Sequence, residues 1–368
     1  MTIGGIPGSV IGFGRIDHSA IIDYNIIGLV GSATIVSADM LAALTQSTPS
    51  ALKPSATIEI DGVDVSDSCG RFKIKLIGNG GHSMVEIPVL SDSLSIDLHQ
   101  SVVSITIKYT LSTGTVFSQE RFRGLAHIID REQKIGTSGY LLTCFDLGYK
   151  LSQNPPSTTW VTTMSALDII NGELAYYGFA PAYGSFVDYD MGGVNLTYFK
   201  TAADIINFLV NGRRLTSSFW DMTGAFKLTD YNDTTVLPWT FPLTCQSSQT
   251  PIKDGTDRYN QVPLTGESPY TYNDLTDQAT KNVMPHPGLD VPWSTQAQSI
   301  ILGTSIADNS YRNKYLIRGV LNPFVFPGDV VTMTLADSTT KVVRVLEITD
   351  FCGFPGGFWS EILVRSTS

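Results

Sequence analysis

The sequence predicts a mainly β chain with a smaller α+β part, and three observations carry that reading. Between Pro54 and Asp146, apolar residues alternate with polar ones at a period of two, which sets one face of each strand in a core and the other in polar surroundings. A passage near the C-terminus, from Val330 to Leu363, repeats the same plan. The stretch between them carries apolar residues at helical spacing.

Residues 1–53 are rich in Gly and Ile without a sustained period, and are expected to form an N-terminal arm that orders against a neighbour, with one short helix over Ser37–Leu44. Gly12-Phe13-Gly14 lacks the third glycine and the flanking strand and helix of a dinucleotide turn, so it is read as backbone flexibility. Residues 54–155 form the first β unit. Ala56, Ile58 and Ile60 alternate with Thr57, Glu59 and Asp61, and Gly62 offers a turn. Phe72, Ile74 and Leu76 alternate with Arg71, Lys73 and Lys75, and Leu94, Ile96 and Leu98 continue the pattern. The clearest strand starts at Val102 and turns Val103, Ile105, Ile107 and Tyr109 inward; Ser112-Thr113-Gly114 then returns it as a hairpin over Phe117 to Arg123 and Gly124. With the strand at Tyr140 this makes about six, enough to close a small barrel or sandwich.

Pro155-Pro156 removes two amide donors and marks a boundary. Residues 156–250 read as a central α+β unit. Leu167, Ile170, Leu174 and Tyr177 form a helical stripe ending at Gly178, and Thr201 with Asp204 resembles a capping box before Ile205, Ile206, Leu209 and Val210, which stop at Asn211-Gly212. Phe219-Trp220-Asp221 passes through Gly224 into Ala225–Leu228 as a strand pair. Residues 251–368 form the second β unit: a strand over Arg258–Gly266, a long loop from Glu267 to Val291, a helix from Thr295 to about Ala307, and a strand over Tyr315–Gly319. Pro327-Gly328-Asp329 then turns the chain into a second hairpin at Val330-Val331.

The two hairpins match in pattern. Residue 330 against residue 102 is an offset of 228, while Arg344 against Arg123, and Ile362-Leu363 against Leu141-Leu142, give 221. An internal duplication with a shortened hairpin loop explains this, because loop length changes are well tolerated. The alternative is that any two half-buried hairpins of valine and threonine look alike.

Composition excludes several classes of function. With 24 basic and 34 acidic side chains, a net charge of −10 and no basic run, the chain lacks the means for tight nucleic-acid binding. The charged fraction of 16% is low, which suits a protein that buries much of its surface in neighbours. Cys69, Cys144, Cys245 and Cys352 form no CxxC pair and are expected to be reduced and metal-free. No run reaches membrane-spanning length, so no membrane partner is expected.

No catalytic motif stands out: there is no Gly-x-Ser-x-Gly elbow, no His-Glu-x-x-His and no phosphate loop. The histidines at 18, 82, 99, 127 and 286 lie in different segments, and His127 with Asp130 sits in a strand pattern. Asp188-Tyr189-Asp190 is half a calcium loop without its later ligands and reads as a turn. Tyr176, Tyr177, Tyr183, Phe186 and Tyr189 could line a sugar groove or a contact surface. No enzymatic activity and no cofactor or metal are expected.

The order of several short motifs resembles the baseplate hub proteins of tailed bacteriophages, the gp27-like family. They are Ile58-Glu59-Ile60-Asp61-Gly62, Phe122-Arg123-Gly124, Ser165-Ala166-Leu167-Asp168-Ile169-Ile170 and Tyr259-Asn260-Gln261-Val262. The fullest is Asn322-Pro323-Phe324-Val325-Phe326-Pro327-Gly328-Asp329-Val330, followed by a hairpin and a closing strand with Trp359. The resemblance implies two tube-like antiparallel β-barrel domains flanking the central α+β domain. It implies a homotrimeric ring in the virion tail, assembled in the host cytoplasm, that lines the DNA channel. The ring would join the tail tube or distal tail protein to a central spike or fibre protein, with the tape measure protein as a further partner. Hairpin and edge-strand residues would do this work: Val102, Val103, Arg123, Gly124, Val330 and Val331, with Pro327, Gly328 and Asp329 fixing a turn that needs glycine's backbone freedom. The N-terminal arm and the 267–291 loop depart from the family pattern.

In such a trimer six similar barrels would surround one axis, with edge strands pairing within and across subunits. A carbohydrate-binding adhesin or receptor-binding tail protein is the alternative reading. A tail-associated cell-wall hydrolase is a third, but the closing strand lies so near Ser368 that no appended hydrolase domain is expected.

Overall fold

The alternating runs become the strands of one curled sheet that dominates the computed structural model. The structure describes residues 52–89, 96–111, 114–134, 137–157, 164–190, 199–212, 217–230, 233, 235–252, 259–266, 269–291, 299–300, 303–304, 306–307, 313–354 and 357–367. The arm at 1–51, with its expected helix, lies outside them.

The first strands are β1 (Leu52–Ile60), β2 (Val63–Asp64), β3 (Phe72–Ile77), β4 (Met84–Val89), β5 (Val102–Leu111), β6 (Val116–Lys134) and β7 (Thr137–Asp146), followed by a short helix α1 (Tyr149–Ser152). The middle holds α2 (Ala166–Tyr176), β8 (Tyr183–Ser185), α3 (Ala202–Gly212), β9 (Ser217–Trp220) and β10 (Phe226–Thr229). Then come β11 (Val236–Phe241), β12 (Gln246–Ile252), β13 (Gln261–Gly266), β14 (Tyr270–Asn273), α4 (Leu275–Lys281), β15 (Leu289–Val291), β16 (Lys314–Val320), β17 (Val330–Thr334), β18 (Thr340–Phe354) and β19 (Gly357–Ser366).

Pairing sorts the large sheet into two sets. In space the first runs β1-β5-β6-β7-β4-β3 and the second β11-β17-β18-β19-β16-β12, so six strands correspond one to one both in chain order and in spatial order. One direction differs: β1 is antiparallel to β5, whereas β11 is parallel to β17. The sets are fused, because β3 pairs antiparallel with the second half of β18, from Ile77↔Glu347 to Phe72↔Cys352. One hydrophobic core runs through both, from Val103, Ile105, Ile107 and Phe122 to Val331, Val345 and Val364.

The register refines the sequence match. Val102 pairs with Leu125 and Val330 with Arg344, and β6 and β18 each carry a bulge just beyond, after Ala126 and after Val345. Val102 therefore corresponds to Val330 at the expected offset of 228. The counterpart of Arg344 is Leu125, an offset of 219, and not Arg123. Past the bulges Ile128 faces Thr143 and Glu347 faces Leu363, so Ile362 corresponds to Leu142, an offset of 220 where the sequence match gave 221. Leu142 and Ile362 are both buried, as they must be, since a slip of one residue turns every side chain to the opposite face.

Two assignments along the chain change. β11 and β12 belong by pairing to the second strand set, so that set begins before residue 251. The loop from Glu267 to Val291 is folded: it contains β14, α4 and β15, and β13 pairs with both of those strands. Val262 and Leu264 of β13 share a second core with α2, α3, Trp220 and Phe226, which links this small sheet to the central unit.

The helices follow their capping residues. Ser165 Oγ accepts from Asp168 N at 3.2 Å to start α2, and Gly178, at φ +83°, stands just past its end. Thr201 and Asp204 exchange reciprocal hydrogen bonds of 3.0 and 3.1 Å ahead of α3, the capping box the sequence indicated.

Candidate functional site

The hairpin residues singled out from the sequence divide between core and surface. Val103, Val330 and Val331 are buried and Val102 is half-buried, so they hold the sheet rather than present a surface. Arg123 is exposed and pairs with Glu120 at 2.8 Å. Gly124 is required by close approach: a Cβ there would lie 2.0 Å from the Phe145 carbonyl oxygen and 2.7 Å from Phe122 Cζ.

Pro327-Gly328-Asp329 forms the expected turn, with Gly328 at φ +89°. Gly328 N donates to Val345 O at 2.8 Å and Val345 N donates back to Asp329 O at 2.9 Å, which locks the turn beside the bulge of β18. Asp329 accepts from Phe326 N at 2.8 Å and from Lys227 Nζ at 2.9 Å. The turn therefore ties the second strand set to β10 of the central sheet. The Asp329 charge raises the Lys227 pKa above its ordinary value, against the opposing effect of burial.

A fully buried ion pair between the two strand sets was not apparent in the sequence. Arg121 of β6 donates from Nε to Asp350 of β18 at 2.6 Å, and both side chains are fully buried. Its Nη1 donates to the carbonyls of Pro323 and Val325 at 3.1 and 2.5 Å, and the guanidinium lies over the Phe326 ring at 4.9 Å. Ser360 Oγ donates to the other Asp350 oxygen at 2.5 Å. Nearby, Tyr109 OH donates to Leu321 O at 2.6 Å, and its pKa is raised by burial and then by the Asp350 charge. Strict alternation would place Arg121 on the same face as Gln119 and Arg123. Instead the register shifts between Ile105 and Thr106, whose partners are Phe122 and Glu120, so Arg121 is the extra residue of a bulge and is aimed inward.

The structure also assembles groups the sequence keeps apart. His82 Nε2 lies 2.5 Å from Ser152 Oγ, and its Nδ1 lies 3.1 Å from Asp146, a Ser-His-Asp series. Leu151 N and Gln153 N are committed to Gly148 O and Lys150 O, and Asp146 also accepts Ser83 N at 2.5 Å. The series clamps the ends of β4 and β7 to α1. His127 packs against Phe145 and Tyr149 and lies 3.0 Å from His99; burial and then His99 lower its pKa.

The remaining candidates serve the fold. Asp188 accepts from Leu167 N and Tyr189 N at the start of α2, and Asp190 bridges antiparallel to Ser165, where the sequence indicated a turn. Tyr189 is buried with its hydroxyl on Leu209 O at 2.7 Å, Tyr183 OH is held by Asp221, and Tyr177 OH by Pro155 O, which leaves no shared sugar groove among these three. Among the described residues no group of three or more His, Cys, Asp or Glu side chains could hold a metal ion. Burial raises the thiol pKa of Cys144, Cys245 and Cys352, and that of Cys69 to about 11.

The described residues form long strands in two sets joined by a buried ion pair. No protein-family model matches the sequence, and no curated protein sequence matches it. Solved structures match the fold. A tail protein of Neisseria meningitidis MC58 superposes with a TM-score of 0.66 at 13% identity, covering 85% of this chain and 96% of that one. The 43 kDa tail protein of prophage MuSo2 from Shewanella oneidensis gives 0.64 at 10% identity, covering 86% and 99%. An E. coli component of the type VI secretion system, described as similar to T4 bacteriophage tail proteins gp27 and gp5, gives 0.51 at 8% identity, covering 84% and 77%. The chain thus has the mainly β fold of phage tail proteins.

Proposed function

We propose that this chain is a non-enzymatic structural component of a phage tail baseplate, a homotrimeric hub ring that joins the tail tube or distal tail protein to a central spike or fibre and lines the DNA channel. The observation that carries the reading is the repeated six-strand set. Three copies of a chain with two equivalent sets present six similar units around one axis, which matches a tube ring of six without misfit. The likeness to tail proteins and to a gp27- and gp5-like secretion component supports the same assignment. The tape measure protein is a further partner of this hub. Electron microscopy and native mass measurement of the purified protein test it: trimeric rings with six similar lobes are expected, and a stable monomer or dimer under assembly conditions overturns it.

A further inference from the structure

The seam that joins the two strand sets inside the chain has an unfilled twin. Beyond its bulge, β18 leaves β17 and takes the outer edge of β3. Beyond the matching bulge, β6 leaves β5 at Leu125, and among the described residues no strand takes its place. The counterpart of β3 is β12, which ends the sheet with β16 as its one strand partner among the described residues. Each chain therefore carries both halves of a second seam on two different edges. A contact between unlike edges of identical chains is head-to-tail and closes into a ring when the rotation allows.

We propose that β6 of one subunit pairs antiparallel with β12 of a second copy of this chain, in the register of the internal seam. This rests on the hub-ring reading above. The register follows from the pairings within each set: β18 maps to β6 by subtracting 219, and β3 maps to β12 by adding 177. The internal pair Thr349↔Lys75 then becomes Asp130↔Ile252, followed by Arg131↔Pro251, Glu132↔Thr250 and Gln133↔Gln249.

Side chains outside the pairing argument point the same way. On the internal seam Lys75 and Glu347 form an ion pair at 3.0 Å. Their counterparts are Ile252 and Ile128, which stand 36% and 41% exposed on the two open edges. Two isoleucines at the positions of an ion pair form a diagonal apolar contact once the edges meet, and they invite aggregation while the edges stay open. Gly78 N donates to Leu346 O, so Lys75↔Thr349 is a non-hydrogen-bonded pair, and Asp130 and Ile252 inherit that close spacing. Pro251 takes the position of Ile74, so the proposed seam has one amide donor fewer there.

Cysteine cross-linking of the full chain tests the register. Asp130→Cys with Ile252→Cys, mildly oxidised, is expected to give a reducible covalent trimer on denaturing gels. The single variants control for the native thiols and should stay monomeric on the gel, and Asp130→Cys with Thr250→Cys should cross-link far less. In parallel, Ile128→Glu places a lone charge in the seam and should raise the dissociation concentration at least about tenfold. Adding Ile252→Lys, which transplants the Lys75–Glu347 pair, should restore most of the loss. Rings seen by microscopy without the Asp130–Ile252 cross-link, or with equal cross-linking of the mismatched pair, overturn the seam and leave the hub reading standing. Monomers in the unmutated protein overturn both.

Discussion

Replacing Arg121 by methionine removes the cation that pairs with the fully buried Asp350 carboxylate. Asp350 would keep Ser360 Oγ as a donor, while the carbonyls of Pro323 and Val325 would lose theirs. Breaking a buried pair by deleting one partner costs about 3–5 kcal/mol, and the orphaned carbonyls fall within or slightly above that range. At about 2 °C per kcal/mol for a chain of this size, the melting temperature should fall by about 6–10 °C. Asp350→Leu in the Arg121→Met background should recover most of the loss at pH 7, because an apolar pair carries no desolvation penalty. Urea titrations of the two single variants and the double variant at pH 7 measure this. Losses that simply add, or a loss below about 1 kcal/mol for Arg121→Met, refute the claim that this contact keys the two strand sets together.

Four other outcomes are expected. Gly124→Ala should lower the urea midpoint by the equivalent of about 1–3 kcal/mol, because its Cβ meets the Phe145 carbonyl; an unchanged midpoint contradicts the close approach. Lys227 has a raised folded pKa, so the stability it draws from Asp329 is fully present below the ordinary lysine value of about 10.4 and lost as pH rises through the folded value. Between pH 9 and about 11.5 the unmutated protein should lose more stability than Lys227→Met, and parallel curves would count against the pairing. Hydrolysis of an activated ester should be no faster with the unmutated protein than with Ser152→Ala, and a rate that drops on that substitution would show that the His82 series is catalytic. Duplex DNA at moderate salt should not be retarded on gels, given ten more acidic than basic side chains, and a clear shift would contradict this.

The strands and caps were legible because their causes are local. Period two marked β5, where Val103, Ile105, Ile107 and Tyr109 are all buried. Thr201 with Asp204 marked α3, and Gly178 the end of α2, because a cap is satisfied by residues within one turn. The repeated hairpin was visible at an offset of 228, since β5 and β17 enter their hairpins in the same way. The downstream offsets failed by one or two residues because register across bulges is set by pairing, and a bulge changes the count without leaving a period in the sequence.

The sequence by itself determined a mainly β chain, its capped helices, its acidic surface and the plan of two related strand sets. Tertiary structure alone decided how those sets meet. Nothing local ties Arg121 to Asp350, β3 to β18, or β12 to β16, because each partnership spans a long stretch of chain and is selected by burial and by the sharing of sheet edges. The same reason hid the His82–Asp146–Ser152 series and the folded 267–291 segment, whose residues take their roles from neighbours that the fold, and not the sequence, supplies.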